Sequence, residues 1–444
     1  MTSRRLRAIS ALLTVLLAIT VAPAAPAAAT GTTMPAFSPA FAPAASFYRI
    51  RWTADGYPAR LEPDGSLYEH PIYPVYVLED YLAQNAAHPT ATMRAAIRTV
   101  AHAAIRRMKA FHGGLVFWYA EGGPARATQR HYSALTSSYY ATKLQAAYAA
   151  TGDVSLATAA RRCFSALLVP ASSGGVLYRD RNGISIAEVP QAPNSYILNG
   201  WLSALVSVWK YWQASADVRA RDLVRNSAKA VARVLPRYDS HDLGLSRYGL
   251  SGFLYVRVVG TTYSTLAMTI PGERTYTPVV SKRPYRWQLY RLNASQANIV
   301  VSYGSWPIAN TLTIKPARPA RVQAYVGSYD PRSSAPVRPR WIDIGTVTPS
   351  RPSVKVPWSV LDKVVYPTNF AKKIGGHQVN VYHTVHIRRL RELYAITPVP
   401  ALRVWANKWA ADMCSWGRFP IFRGLYAVRV PEVEPAIVPV TKLC

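Results

Sequence analysis

From Tyr68 to about Pro236 apolar residues recur every three or four positions, and from about Ser251 they turn to short alternating or continuous apolar runs. The first spacing matches the 3.6-residue turn of a helix, the second the two-residue repeat of a strand. The helical spacing returns at Val379 and continues to about Trp416. A chain patterned in this order cannot be one sheet or one bundle. It predicts helices interrupted by a β module.

Val75, Val77, Leu78 and Tyr81 open the first helix, and Ile97, Val100, Ala104 and Met108 mark a second over Met93 to Phe111. Further helices are expected over Ser133 to Thr151, Val154 to Leu168, Ser195 to Gln213 and Ala216 to Leu235. They arrive as antiparallel pairs whose connections carry Gly, Trp and Tyr, as in Gly113-Gly114 to Trp118-Tyr119 and Gly174 to Tyr178. Such pairs, with aromatic loops on one side, predict an α/α toroid. Strands are expected at Tyr255 to Val259, Ser264 to Ile270, Trp287 to Leu292, Asn298 to Tyr303, Thr311 to Ile314 and Arg321 to Val326, punctuated by Pro and Gly. The expected fold is multidomain α and β: an incomplete (α/α) toroid with an inserted antiparallel β module. Its divisions are 1–29 signal peptide, 30–67 linker and short β segment with a turn at Pro63-Asp64-Gly65, 68–250 first toroid part, 251–375 β-rich module, 376–416 second toroid part, and 417–444 tail.

Arg4, Arg5 and Arg7 precede an apolar stretch from Ala8 to Val21, and small residues follow to Ala27-Ala28-Ala29. That order is a secretory signal, cleaved near Ala29, and the expectation is a secreted protein. A twin-arginine route is disfavoured by Arg7, and a retained anchor is the other reading of the segment. No later stretch is long and apolar enough to span a bilayer, so no integral membrane segment is expected after cleavage. The formal charge is +30, and only three of those charges belong to the leader. A field of that sign captures polyanions. No zinc-finger spacing or RRM signature is present, so for an exported protein an acidic polysaccharide is the expected partner, not nucleic acid. An arginine-rich composition without a ligand is the competing explanation. Cys163, Cys414 and Cys444 are too few for a disulfide framework; Cys414 and Cys444 have the option of pairing, and Cys163 reads as a buried thiol. No HExxH-type spacing occurs, and no cofactor is expected, a structural calcium ion being an option that the sequence does not indicate.

Three segments hold the candidate chemistry. In Tyr382-His383-Thr384-Val385-His386-Ile387, Tyr382 and His386 share a helix face, and Arg389 falls on it one turn later. A phenol, an imidazole and a guanidinium together suit holding a carboxylate and moving a proton, or else form a polar outer face. Glu188 precedes Pro190 and Pro193, which force an extended approach to the helix carrying Tyr196, Asn199 and Gly200. It is a rigidly placed acid or a surface glutamate. Tyr238-Asp239, followed by Ser246-Arg247-Tyr248, comes just after a helix end.

In their order and local motifs these segments resemble the D-glucuronyl C5-epimerase family. The matching elements are Glu188-Val189-Pro190 with Pro193, Leu198-Asn199-Gly200, Tyr238-Asp239 after Leu235-Pro236-Arg237, and Tyr382-His383 with His386-Ile387. The resemblance covers about residues 68 to 250 and 376 to 413. It implies action on a uronic-acid polymer, such as a glycosaminoglycan of the heparan sulfate kind, with inversion at C5. It implies Tyr382, Glu188 and Tyr238 as catalytic residues, and Arg247, His383, His386, Asn199, Tyr196, Tyr248 and Arg389 as substrate-binding ones. This chain departs from the family pattern at Val189, where the family has tyrosine, and at Ser137-Ser138-Tyr139, where it has Gln-Gly-Gln. The β module also interrupts the helices instead of preceding them.

Removing a proton from C5 of a uronate requires a base on one face, an acid on the other, and relief of the charge that builds on the carboxylate. Glu188 and Tyr382 are expected on opposite faces, with Arg247, His383 or His386 supplying positive charge. Two other readings share the scaffold: a polysaccharide lyase, and a non-catalytic acidic-glycan-binding protein, which Val189 favours.

Overall fold

The computed structural model describes residues 33–120, 130–190, 194–240, 245–250, 252–259, 263–269, 275–276, 299–303, 310–329, 336–356, 372–374, 377–380, 382–415, 425–428 and 437–439. The leader with Ala29, the strand expected at Trp287 to Leu292, and Cys444 lie outside them. The molecule is mixed α and β, with its sheets almost entirely antiparallel.

The helices are α1 (Ala42–Phe47), α2 (Ile72–Ala87), α3 (Ala91–Arg107), α4 (Ala134–Thr151), α5 (Val154–Ala166), α6 (Leu198–Ser215), α7 (Val218–Val234), α8 (Tyr382–Ile396) and α9 (Pro400–Ser415). Local chemistry sets several ends. Thr90 accepts from the Met93 N–H at the start of α3, Asp153 from Ser155 at α5, and Asp217 from Arg219 at α7, each satisfying a backbone donor that the helix leaves open. Gly152, at φ +73°, closes α4 in the left-handed conformation that glycine adopts without strain. The helical pattern from Val379 resolves into two helices because Pro398 and Pro400 break it, and residues 377–380 are a strand.

From α2 onward, consecutive helices pack as pairs, and the first member of each pair packs on the first member of the next: α2 on α4, α4 on α6, α6 on α8. The contacts advance in the same direction along both partners. Tyr140 of α4 donates to the Pro71 carbonyl before α2 at 2.7 Å, and Lys143 pairs with Glu79 at 3.2 Å. Ser207 of α6 donates to the Ser138 carbonyl at 3.0 Å, and Gln145 to the Ala214 carbonyl at 3.4 Å. The four inner helices therefore run parallel, and their N-termini share one end of the molecule.

The core lies between these layers, with Leu78, Ile97, Leu144, Phe164, Leu202, Val231, Leu390 and Trp409 withdrawn from solvent. Each large apolar side chain buried this way contributes about 1.5–3 kcal/mol. Residues 33–48, expected as linker, are held against α2 instead. Ser38 donates to Asp80 from its N–H and its hydroxyl, Tyr81 donates to the Pro35 carbonyl at 2.7 Å, and Phe41, Ala44 and Ala45 are buried.

Between α7 and α8 the chain forms two four-stranded antiparallel sheets. One orders strands 299–303, 252–259, 320–329 and 336–347; the other orders 275–276, 263–269, 310–316 and 353–356. Val258, Val322, Ala324 and Ile344 of the first and Leu312, Ile314 and Val354 of the second are buried in the common core. The segment expected as a surface tail supplies strands Leu425–Val428 and Ile437–Pro439. The former lies parallel to His377–Asn380, so the tail is built into a third sheet. Cys163 is a buried free thiol and Cys414 is disulfide-bonded.

The two segments that flank the β module in sequence meet in the fold. Asp239, just after α7, is almost completely buried and accepts from Lys408 and from the Trp409 indole of α9, each at 3.0 Å. Ser246 donates its N–H to His383 Nδ1 of α8 at 2.9 Å.

Candidate active site

Parallel inner helices gather four N-termini at one end, where the helix dipoles favour negative charge. The residues placed there are His70 before α2, Tyr119 and His131 before α4, Glu188 and Tyr248 beside the start of α6, and Tyr382 at the start of α8.

Glu188 owes its position to both sides of its loop. Ala187 donates its N–H to the Val176 carbonyl at 2.9 Å and accepts from Ala134 of α4 at 3.0 Å. The half-buried Glu188 side chain then lies over Gly200 in the first turn of α6. A Cβ at position 200 would stand 2.0 Å from its Oε2 and 2.7 Å from its own Cβ. Only glycine permits that approach.

Residues 194–198 do not continue α6 backwards to Ser195, because they pair with 248–250: Leu198 donates to Tyr248 at 2.8 Å and Leu250 to Ser195 at 2.7 Å. Asn194 Oδ1 accepts from the Tyr196 N–H, and Tyr196 takes φ +47°, a strained value for a residue with a Cβ. This pairing brings Tyr248 against Val189 and Ile197. Its ring meets that of Tyr382 edge-on, with centroids 4.8 Å apart. Burial, then the Glu188 carboxylate and the Tyr382 phenol, push Tyr248 far above the ordinary phenol range, so it stays protonated and able to donate. Tyr119 behaves alike: burial raises it, Glu188 adds to the rise, and its hydroxyl lies 2.7 Å from that of Thr136.

Glu188, Tyr248 and Tyr382 thus come together from three segments of sequence. The other residues named from the sequence are placed differently. Tyr238 is fully buried and donates to the Tyr196 carbonyl at 2.6 Å, bracing the strained residue. Tyr196 directs its own hydroxyl to Asp180 and accepts from Asn182 at 2.9 Å. Arg247 is fully buried, and its N–H donates to the Tyr238 carbonyl. Arg389 donates to Ser203 at 3.1 Å and to Glu392 at 2.6 Å. Asn199 is buried in the first turn of α6, with Oδ1 lacking a hydrogen-bond partner among the described residues.

His383 and His386 do not share the cleft face with Tyr382; both are buried where α8 meets α9 and the 245–246 turn. His383 Nε2 lies 3.0 Å from the Trp409 carbonyl, which can only accept, so the proton sits on Nε2 and Nδ1 accepts from Ser246. His386 Nδ1 is 2.6 Å from the Ser246 hydroxyl. Burial lowers both, His383 to about 4, so each is neutral at pH 7. Both rings are held within the packing of α8, α9 and Ser246.

The sequence reading passed over Tyr119, His70 and His131 as site residues. The available signal was their position: each precedes the first helix of a pair, as Glu188 does. Among the described residues no group of three His, Cys, Asp or Glu side chains is arranged to hold a metal ion, and no described helix is long and apolar enough to cross a membrane.

Fold and site together define a protein of paired helices with a carboxylate and phenols at the shared end of its inner helices. Residues 116–266 match the family model of the D-glucuronyl C5-epimerase C-terminus. The match holds Tyr119, Glu188, Tyr238 and Tyr248 and ends before Tyr382. A stretch of 103 residues is 28% identical to an uncharacterized protein of Methanocaldococcus jannaschii, covering 22% of this chain and 33% of that protein. The chain thus spans about a third of that relative's length.

Proposed function

We propose that the protein is a secreted C5-epimerase of a uronic-acid polysaccharide, with its helical pairs forming an incomplete α/α toroid. The observation that carries the reading is the meeting of Glu188, Tyr248 and Tyr382 at the N-terminal end of parallel inner helices. The parallel packing of first helices, each backed by its pair partner, supports the toroid. The leader sequence and the charge of +30 support export and an acidic polymer as partner.

In this reading the uronate carboxylate lies toward the helix N-termini. Glu188 removes the C5 proton from one face, and Tyr382 delivers a proton to the other. The protonated Tyr248 donates to the carboxylate as it takes on enolate character, which stabilises charge where it develops. Tyr238 and Tyr196 act by holding the start of α6, and Asn199 Oδ1 offers an acceptor for a sugar hydroxyl. No cofactor is required by these steps, because acid and base both come from the chain.

Incubation with heparosan and alginate-type polymers in deuterated buffer, with C5 read by NMR, tests the proposal. The expected result is deuterium at C5 with altered ring configuration, abolished in Glu188→Gln. In Tyr382→Phe, unchanged incorporation would overturn the role of Tyr382. Unsaturated products absorbing in the ultraviolet would assign a lyase instead. Val189 is the observation favouring a binding protein without catalysis, and binding with no exchange on any polymer would establish that reading.

A further inference from the structure

Beside the Glu188 cleft runs a line of rings that the proposed proton transfer does not use. Tyr68 stands 45% exposed in the strand before α2. Its ring centroid is 6.1 Å from His70, His70 is 5.9 Å from Tyr119, and Tyr119 stacks on His131 at 5.6 Å with 19° between the planes. His70 Nδ1 accepts from the Ile72 N–H at 3.2 Å, which leaves its proton on Nε2 as a donor. Tyr119, the third ring of the line, is the one that senses the Glu188 carboxylate.

Arg60 lies over the Tyr68 ring at 4.9 Å and the Tyr119 hydroxyl is held by Thr136, yet the outer ring of the line is left to solvent and the next two are only partly buried. Half-exposed tyrosines present an apolar face edged by a hydroxyl, which matches the C–H face and rim hydroxyls of a pyranose. The line is continuous with the cleft, and the strongly basic chain suits an acidic polymer.

We infer that Tyr68, His70 and Tyr119 form a further sugar subsite, which holds the pyranose that follows the disaccharide seated at Glu188 in the same acidic chain. The inference rests on the epimerase reading for the nature of the polymer. It makes the protein a reader of chain length: a disaccharide fills the Glu188 cleft, and a longer oligosaccharide also reaches Tyr68.

Calorimetric titration of the whole mature protein with heparosan disaccharide and hexasaccharide tests it. The wild type is expected to bind the hexasaccharide about tenfold more tightly than the disaccharide, a difference of the size that ring contacts supply. Tyr68→Ala should reduce that ratio to about twofold, and Tyr68→Phe, which keeps the ring, should retain most of it. Tyr68 is exposed, so both variants are expected to fold, with thermal unfolding as the check. A ratio unchanged in Tyr68→Ala, or no gain with length in the wild type, overturns the subsite and leaves C5 exchange to be judged separately. Binding of neither saccharide by the wild type overturns subsite and epimerase reading together.

Discussion

Gly200 and Glu188 are coupled by contact. The Glu188 side chain occupies the space that any Cβ at position 200 would take, and the loop carrying Glu188 is fixed through Ala187 at both its N–H and its carbonyl. Gly200→Ala should therefore displace the carboxylate, since the clash reaches the Glu188 Cβ as well as its flexible end. Overpacking of this kind costs about 1–3 kcal/mol. The expected outcome is a modest fall in denaturation midpoint together with loss of C5 exchange. Retention of full exchange would show that Glu188 need not lie on the first turn of α6. Val189 is a contrasting case. It packs on Ile197 and Tyr248 and gives the Tyr248 ring an apolar surface to sit against.

At the scale of elements, the joint between α8–α9 and the turn after α7 is where stability and pH meet. Asp239 accepts from Lys408 and the Trp409 indole, and Trp409 is fully buried. Asp239→Ala strands that indole donor, so urea unfolding should show a loss of about 2–4 kcal/mol. His383 and His386 are neutral in the folded protein, with His383 lowered to about 4, whereas unfolded histidine titrates near 6.5. Between those values the unfolded chain binds more protons than the folded one. Stability from His383 is fully present above pH 6.5 and is lost as the pH falls toward 4, at up to about 1.4 kcal/mol per pH unit, and His386 acts in the same direction. Denaturation at pH 7, 6 and 5 checks the sign. A flat profile over that range would mean that the two imidazoles are already charged or exposed in the native state.

For the whole molecule, the proposed function has the parallel inner helices and the net charge acting on one acidic polymer at different distances. The charge of +30 works over several ångströms and is screened by salt. The helix ends and phenols act by contact. Binding of a uronate polymer should accordingly weaken on raising NaCl from about 0.05 to 0.5 M, where the screening length falls from above about 10 Å to a few ångströms. A neutral oligosaccharide should show little change. Equal salt sensitivity for both would remove the electrostatic part of the proposal. The β module sits between α7 and α8 in sequence without separating them in space, because Asp239 and Ser246 bind directly to α9 and α8.

Periodicity and end signals made the long helices and the strands at 252–259, 263–269, 299–303, 310–316 and 320–329 legible in the sequence, since apolar spacing reports which face is buried, whatever the partner. Motif order singled out Tyr382, Glu188 and Tyr238 for proton transfer and Tyr248 for substrate binding, whereas in the fold Tyr248 meets Tyr382 and Tyr238 is buried against the Tyr196 carbonyl. The start of α6 was not legible: helical spacing extends to Ser195, but pairing with 248–250 and the strained Tyr196 hold those residues out of the helix. Nor was the fate of His383 and His386. Their spacing from Tyr382 allowed a shared polar face, and only the packing of α9 and the Ser246 turn against them buries both and makes them neutral. The ring line through Tyr68, His70 and Tyr119 lies on three separate segments, and no spacing along the chain joins them. The sequence by itself determined which segments are helical, which are extended, and which carry acid and phenol groups, because those follow from local side-chain chemistry. The tertiary structure alone decided that the inner helices run parallel with their N-termini together, because that depends on contacts between segments far apart in the chain.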